Sequence, residues 1–302
     1  MFKRILIPVT SETLSQHVLQ YGLEFAKAIN ASVVVTYALI AHDSSNLADE
    51  LLESCARAAL EHGVPCEKRL IDGFDTGIGD AISQLAKTAD CDLILIGTHA
   101  LEGFNRLVSG SVTEQVVHHV QIPVMVMRDQ TEHYTPFKRI LVPIDGGTAS
   151  DGAQALAQSL ASNLAAQLIF IHVIPNVPAP IADVTGVSSM IYDPVGQTKM
   201  LETQSEKILA RAKQSDLTGT AIVKGVPAQF ESVPVRILET ATSEQADLIV
   251  IGTHGRVGLE RLLLGSVAEA VTNHANVPVL LTHAEPKEVV AVQNQISGLM
   301  TT

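Results

Sequence analysis

Tryptophan is absent from the chain, and phenylalanine and tyrosine bring the aromatic content to only 4% of the 302 residues. Acidic residues outnumber basic ones by 32 to 20, which leaves a formal net charge of -12. A chain with so few rings to stack on bases, and with no excess of positive charge, lacks the usual features of a nucleic-acid-binding surface. We therefore expect no nucleic acid among its partners.

Paired cysteines and long hydrophobic runs are also missing. Cys55, Cys66 and Cys91 are odd in number and show no CxxC spacing, which argues against a disulfide framework and against a cysteine zinc site. The basic pair near the N-terminus precedes an apolar run of only five residues, too short for a signal-peptide core or a membrane span. We expect a cytoplasmic protein with reduced thiols and no membrane partner.

The most prominent feature of the sequence is an internal repeat. Residues 2–8 recur as residues 137–143 with six of seven identical, and residues 91–112 recur as residues 246–267 with 13 of 22 identical. The first match is displaced by 135 residues and the second by 155, so the second copy is longer by about twenty residues. This agreement indicates two homologous domains.

We place the domains at residues 1–130 and 136–284, with a tail over residues 285–302. In the first copy the predicted strands cover residues 3–9, 32–39, 67–71, 92–97 and 122–127. Between strands, apolar residues spaced three and four apart predict helices, as at Leu51, Leu52, Ala56, Ala59 and Leu60. Continuously apolar strands separated by helices favour a parallel sheet covered on both faces. The sequence therefore predicts two tandem, doubly wound, five-stranded α/β domains of Rossmann-like type.

Most of the additional length in the second copy falls in residues 175–196, directly after its second strand. Four prolines and two glycines in this segment predict a loop. The segment leaves the carboxyl edge of the sheet, where open α/β sheets bind ligands. Both a tolerated surface insertion and a lid over a site remain open.

Glycines stand at fixed positions between the fourth strand of the second copy and the next helix. Gly252, Gly255 and Gly265 are followed by Ser266. Glycines permit positive φ and let a phosphate approach the backbone, while a helix N-terminus offers unpaired amides and a positive dipole end. The pattern predicts a phosphate site. The alternative is a capping box formed by Ser266 and Glu269, which would explain the serine but not the glycines.

Asp145 follows the first strand of the second copy and is expected to face the Gly252 loop across the topological switch point. A carboxylate there suits a ribose hydroxyl or an adenine amino group. Asp145 could equally turn the loop or cap the helix beginning near Ala149. The first copy has Thr10 at this position and Ala100 in place of the second motif glycine, so its pocket is expected to be weakened or silent.

These residues resemble the universal stress protein family, whose ATP-binding branch carries the pattern G-x2-G-x9-G-[ST]. The second copy matches it fully, whereas the first copy, from Gly97 to Ser111, departs from it at Ala100. The resemblance covers both copies and implies the fold predicted above. It implies nucleoside contacts at the end of the first strand, adenine contacts at the ends of strands two and three, and phosphate contacts in the glycine loop. The predicted binding residues are Pro143, Ile144, Asp145, Val173, Gly225, Val226, Gly252, His254, Gly255, Arg256, Gly265, Ser266 and Val267.

The resemblance further implies a stress-linked protein that binds ATP, AMP or ADP, with Mg²⁺ as a candidate ion beside the nucleotide. His118 and His119 are adjacent on a helix and diverge by about 100°, so they make a poor chelate, and we predict no protein metal site. No Walker lysine and no G-x-S-x-G motif is present, so no catalytic residue is assigned. A slow ATPase and a nucleotide-independent interaction scaffold stay open as alternatives.

In the family, the last strand of each domain pairs two domains. The resemblance therefore implies that residues 122–127 and 277–282 pair the two halves of this chain with each other. A homodimer of the whole chain is a further candidate assembly. The alternative is an apolar edge strand that receives another partner.

Overall fold

The computed structural model contains ten strands and eight helices in the residues that it describes. These residues are 1–39, 45–73, 77–98, 112–128, 137–174, 194–216, 221–228, 231–253 and 264–283. The first half contains β1 (Arg4–Pro8), α1 (Thr13–Ile29), β2 (Ser32–Leu39), α2 (Ser45–His62), β3 (Cys66–Asp72), α3 (Ile78–Thr88), β4 (Leu93–Thr98), α4 (Val112–His119) and β5 (Val124–Arg128). The second half contains β6 (Arg139–Pro143), α5 (Thr148–Leu164), β7 (Gln167–Ile174), α6 (Pro194–Gln214), β8 (Ile222–Pro227), α7 (Val233–Ser243), β9 (Leu248–Gly252), α8 (Ser266–His274) and β10 (Val279–Thr282).

All ten strands join one sheet in the order β3-β2-β1-β4-β5-β10-β9-β6-β7-β8. Neighbouring strands within each half run parallel, and β5 pairs antiparallel with β10, with Val126 opposite Val279. The predicted pairing of the two halves through their last strands is therefore present in this structure. Both strands begin directly after a proline, Pro123 or Pro278, rather than at 122 and 277 as predicted. Proline has no N–H to donate to a strand ladder, which explains the later start.

The sheet is covered by helices on both faces. Successive strand residues alternate between two apolar clusters, so that Ile5 and Ile7 pack on the side of α1, α2, α5 and α6, while Leu6 packs on the side of α3, α4, α7 and α8. Burial of one such side chain contributes roughly 1.5–3 kcal/mol. This alternation is the physical basis of the doubly wound fold that the sequence predicts.

Two details of the helices differ from the prediction. The buried stripe of α2 consists of Ala48, Leu52, Cys55 and Ala59, whereas Leu60 is 78% exposed. Leu60 follows Ala59 by one residue and so points about 100° away from the stripe. The predicted loop over residues 175–196 ends earlier, because α6 begins at Pro194, and proline is well tolerated at the first helical position. Of the helices described here, none is both long and apolar enough to cross a membrane.

An aspartate at the start of the fourth strand ties that strand to the first strand in both halves. Asp92 accepts hydrogen bonds from the backbone N–H groups of Lys3 and Arg4, at 2.7 and 2.9 Å. Asp247 repeats this arrangement on the equivalent pair of amides in the second half, at 2.7 and 3.0 Å. Each carboxylate therefore ties the first and fourth strands of its half together, and in the second half the far ends of these strands carry the predicted site.

The three cysteines are free. Burial raises the pKa of Cys55 and of Cys91 to about 11, and it raises the pKa of Cys66 in the same direction. A thiol with a raised pKa carries little thiolate near neutral pH, and the thiolate is the reactive form. The cysteines therefore behave as small apolar side chains.

Candidate functional site

A tight turn after β6 brings Asp145 to the carboxyl edge of the sheet. Gly146 has φ 78°, a conformation that favours glycine, and the Asp145 Oδ1 atom accepts a hydrogen bond from the Gly147 N–H at 2.8 Å. In the first half, Thr10 Oγ1 accepts the equivalent hydrogen bond from the Glu12 N–H at 3.3 Å. The turn-forming role of Asp145, one of the two interpretations of this residue, is therefore present in the structure.

Asp145 also lines a cavity of about 390 Å³ at the carboxyl ends of β6, β7 and β9, bounded by α6, α7 and α8. Cavities of this size and position are typical of small-molecule sites in open α/β sheets. Eight of the predicted binding residues line it, namely Pro143, Ile144, Asp145, Val173, Gly252, Gly265, Ser266 and Val267. The strand order explains this convergence, since β6 pairs with both β9 and β7.

Helix α8 directs its N-terminus at the cavity. Gly265 occupies the N-cap, and its carbonyl accepts the first helical hydrogen bond from the Glu269 N–H at 2.9 Å. Ser266 is the first helical residue and is exposed at the cavity. The capping-box interpretation is wrong, because Gly265 rather than Ser266 is the capping residue. Gly265 has φ -61°, so it does not need the positive φ that glycine alone adopts easily.

Gly252, at the end of β9, is required by packing. A Cβ atom at this position would lie 2.7 Å from the backbone carbon and oxygen of Ala149, in the first turn of α5. At Gly97, the equivalent position of the first half, a Cβ atom would lie 3.0 Å from side-chain atoms of Leu14 and Val18. The first glycine of the motif therefore has an architectural reason in both halves, besides any role in binding.

Some predicted residues do not meet at the cavity. Gly225 and Val226 lie on the edge strand β8 and are not among the lining residues. Val226 stands in register with Val173, and a Cβ atom on Gly225 would lie 3.1 Å from Leu209 Cδ1 of α6. The predicted residues His254, Gly255 and Arg256 lie outside the described residues, as do Ala100, Gly110 and Ser111 of the first copy.

Sequence reasoning missed several lining residues. His172 is buried, and its Nδ1 donates a hydrogen bond to the Ile144 carbonyl oxygen at 2.8 Å. A histidine inside the apolar strand IFIHVI was a visible signal for this position. Ile171, Ile251 and Thr253 lie on or directly after strands β7 and β9, whereas the remaining missed residues are on helices and include Leu201, Gln204, Ser205, Val233 and Ile237. No local signal marks them, because each belongs to an ordinary amphipathic pattern.

The lining suits a ligand with an apolar part, hydroxyl groups and an anionic end. Asp145 and His172 are the titratable side chains among the lining residues that the structure describes. The N-terminus of α8, which also borders the cavity, favours negative charge. Within the described ranges, no group of three or more histidine, cysteine, aspartate and glutamate side chains is placed to hold a metal ion.

The fold and the cavity together define a class: a duplicated α/β protein with a cavity at the switch point of its second half. The universal stress protein family model matches residues 1–128 and 136–283, so the chain belongs to the universal stress protein family.

Individual relatives agree with this family. A universal stress protein of Methanocaldococcus jannaschii is 34% identical over 157 residues, which cover 50% of this chain and 85% of that protein. One from Mycobacterium tuberculosis is 27% identical over 238 residues, covering 78% of this chain and 72% of that protein. The crystal structure of a universal stress protein from Archaeoglobus fulgidus has a TM-score of 0.67 at 19% identity, covering 94% of this chain and 97% of that one. The last comparison shows the shared fold.

Proposed function

We propose that this chain binds an adenine nucleotide, ATP in the first place, in the cavity of its second half. The observation that carries the proposal is the convergence of Asp145, an apolar slot and the N-terminus of α8 on one cavity of about 390 Å³. The proposed role is that of a stress-linked nucleotide-binding protein. A homodimer and a cytoplasmic location stay predictions.

Each part of the cavity matches one part of a nucleotide. The Asp145 carboxylate suits the ribose hydroxyls, since a carboxylate accepts hydrogen bonds strongly. Val173, Val233 and Ile237 supply apolar surface for the flat face of a base. The amides at the start of α8 suit the phosphates, next to the Ser266 hydroxyl. Mg²⁺ would then arrive on the phosphates of ATP rather than on a preformed protein site.

The test is titration calorimetry of ATP into the purified chain and into Asp145→Asn. Asparagine keeps an oxygen that can accept the Gly147 N–H hydrogen bond but removes the charge, so the turn should persist. We expect one site per chain and about tenfold weaker ATP binding in the variant, which corresponds to about 1.4 kcal/mol.

The matched control is Asp49→Asn, which makes the same charge change on the exposed surface of α2 in the first half. It should leave ATP affinity unchanged. A folded chain that binds no ATP would refute the proposal and favour the interaction scaffold. Phosphate release that persists through purification and falls in Asp145→Asn would instead indicate the slow ATPase.

A further inference from the structure

Helix α6, which forms one wall of the cavity, has a counterpart in the first half in α2. Both helices turn inward-facing residues to the same face of the sheet with the same spacing of four, three and four. On α2 these residues are Ala48, Leu52, Cys55 and Ala59. On α6 they are Leu201, Ser205, Ile208 and Ala212. The shared spacing aligns the two helices residue by residue.

This alignment places two polar residues of α6 where α2 has leucines. Gln204 corresponds to Leu51, which packs against the apolar core, and Ser205 corresponds to the buried Leu52. The Ser205 hydroxyl is satisfied, because it donates to the Leu201 carbonyl at 2.8 Å. Gln204 is half-buried, lines the cavity and makes no hydrogen bond within the described part of the chain. Exchanging leucine for glutamine at this position gives up apolar contact and brings to the cavity an amide that has no partner among the described residues.

The position of α6 puts Gln204 at one end of the cavity. Helix α6 contacts β7 and β8, whereas α8 follows β9, and the strand order is β9-β6-β7-β8. Gln204 therefore lies on the side of Val173, across the cavity from Gly265 and Ser266. If the phosphates occupy the start of α8, the Gln204 side is the end that receives the base.

We propose that Gln204 is a specificity-determining residue. Its side-chain amide hydrogen-bonds the polar edge of a purine base that carries a hydrogen-bonding group at position 6. This inference rests on the proposed nucleotide binding. The glutamine amide supplies two donors and one acceptor oxygen, and glutamine pairs in this way with the amino group and a ring nitrogen of adenine in nucleic-acid recognition. A site built for such a hydrogen bond discriminates strongly against an analogue that lacks it.

The experiment compares dissociation constants for ATP and for purine riboside triphosphate, which lacks the 6-amino group. The unmodified chain should prefer ATP by about tenfold or more. Gln204→Leu, which introduces the residue found in α2, should weaken ATP binding by about tenfold and weaken the analogue, which keeps only the ring nitrogen, much less, so most of the preference for ATP is lost. Met200→Leu is the matched control, since Met200 is 62% exposed on the same helix and does not line the cavity.

Gln204→Met serves as a second variant of similar length without hydrogen-bonding groups, in case leucine disturbs the packing of α6. Equal weakening of both ligands, or an unchanged preference for ATP, would overturn the inference, because a residue that only shapes the wall does not sense the amino group. An unmodified chain that binds neither ligand would refute the proposed nucleotide binding itself, and with it the role of Gln204. An unmodified chain that binds both ligands equally would refute the role of Gln204 alone.

Discussion

The hydroxyl group of Tyr21 offers a sharp test of how the two halves pack. Tyr21 is on α1, is 3% exposed, and has its ring centroid 5.7 Å from that of Phe137 in the second half. Its hydroxyl makes no hydrogen bond in the part of the chain that the structure describes. Burial raises the pKa of Tyr21 well above 10, and the nearby negative charge of Asp247 raises it further. The position therefore contains a buried polar group that phenylalanine would lack.

The magnitude of the effect follows from two contributions to the free energy of unfolding. A buried hydroxyl without a partner costs about 1–3 kcal/mol, so Tyr21→Phe should stabilise the chain by about 1 kcal/mol near pH 8. In the unfolded chain Tyr21 ionises near pH 10, while in the folded chain it keeps its proton. Because the pKa of Tyr21 is higher in the folded chain than in the unfolded chain, the free energy of unfolding is constant below about pH 10 and falls as the pH rises above it. The loss at pH 11 is about 1.4 kcal/mol relative to pH 8.

Urea unfolding at pH 8 and at pH 11, with and without Tyr21→Phe, measures both contributions. The chain has 4 tyrosines, and the other three are present in both proteins, so the difference between the two isolates Tyr21. We expect the variant to be more stable by about 1 kcal/mol at pH 8 and by about 2–2.5 kcal/mol at pH 11. A variant that is less stable at pH 8, or one whose advantage does not grow with pH, would refute the reasoning.

Two matched pairs of substitutions test the duplicated packing by the same urea assay. Gly252→Ala should lower the free energy of unfolding by about 3 kcal/mol, because the new Cβ would meet the backbone of Ala149. Gly97→Ala should lower it by only about 1 kcal/mol, because the side chains of Leu14 and Val18 can move aside. A larger loss in Gly97→Ala than in Gly252→Ala would contradict this reasoning. Asp92→Asn and Asp247→Asn should each cost about 1–3 kcal/mol, since one backbone N–H would then face an amide NH₂. An unchanged midpoint in either aspartate variant would show that the carboxylate does not hold the strands together.

Most of the fold is predictable from local patterns. The second strand was predicted at residues 32–39 and is Ser32–Leu39, and the other strands of the first half differ from prediction by one or two residues at their ends. Apolar runs bounded by helical patterns locate strands well, because a strand buried on both faces tolerates few polar residues. Leu60 was placed wrongly because an apolar residue next to a buried stripe satisfies a spacing rule without facing the core.

Part of the candidate site was predictable for a topological reason. Asp145 follows β6 and Gly252 ends β9, two strands that are remote in sequence, but parallel strands end at the same edge, and the switch point brings those ends together. Gly225 and Val226 are also near the carboxyl end of a parallel strand, but they do not line the cavity. They belong to the edge strand β8, and Gly225 packs beneath Leu209 of α6.

Local periodicity and repetition were sufficient to reveal two α/β units, their strands and the edge that carries the predicted site. Tertiary structure decided which side chains of α6 face the cavity, why Gly252 has no room for a Cβ, and where Tyr21 meets Phe137. The physical reason is the sequence distance over which each property is determined. An apolar stripe is encoded within one helix or strand, whereas its contacts depend on close packing between segments that are distant in the chain. Gln204 illustrates this limit, because its place at the cavity depends on how α6 packs after a longer insertion than the first half contains.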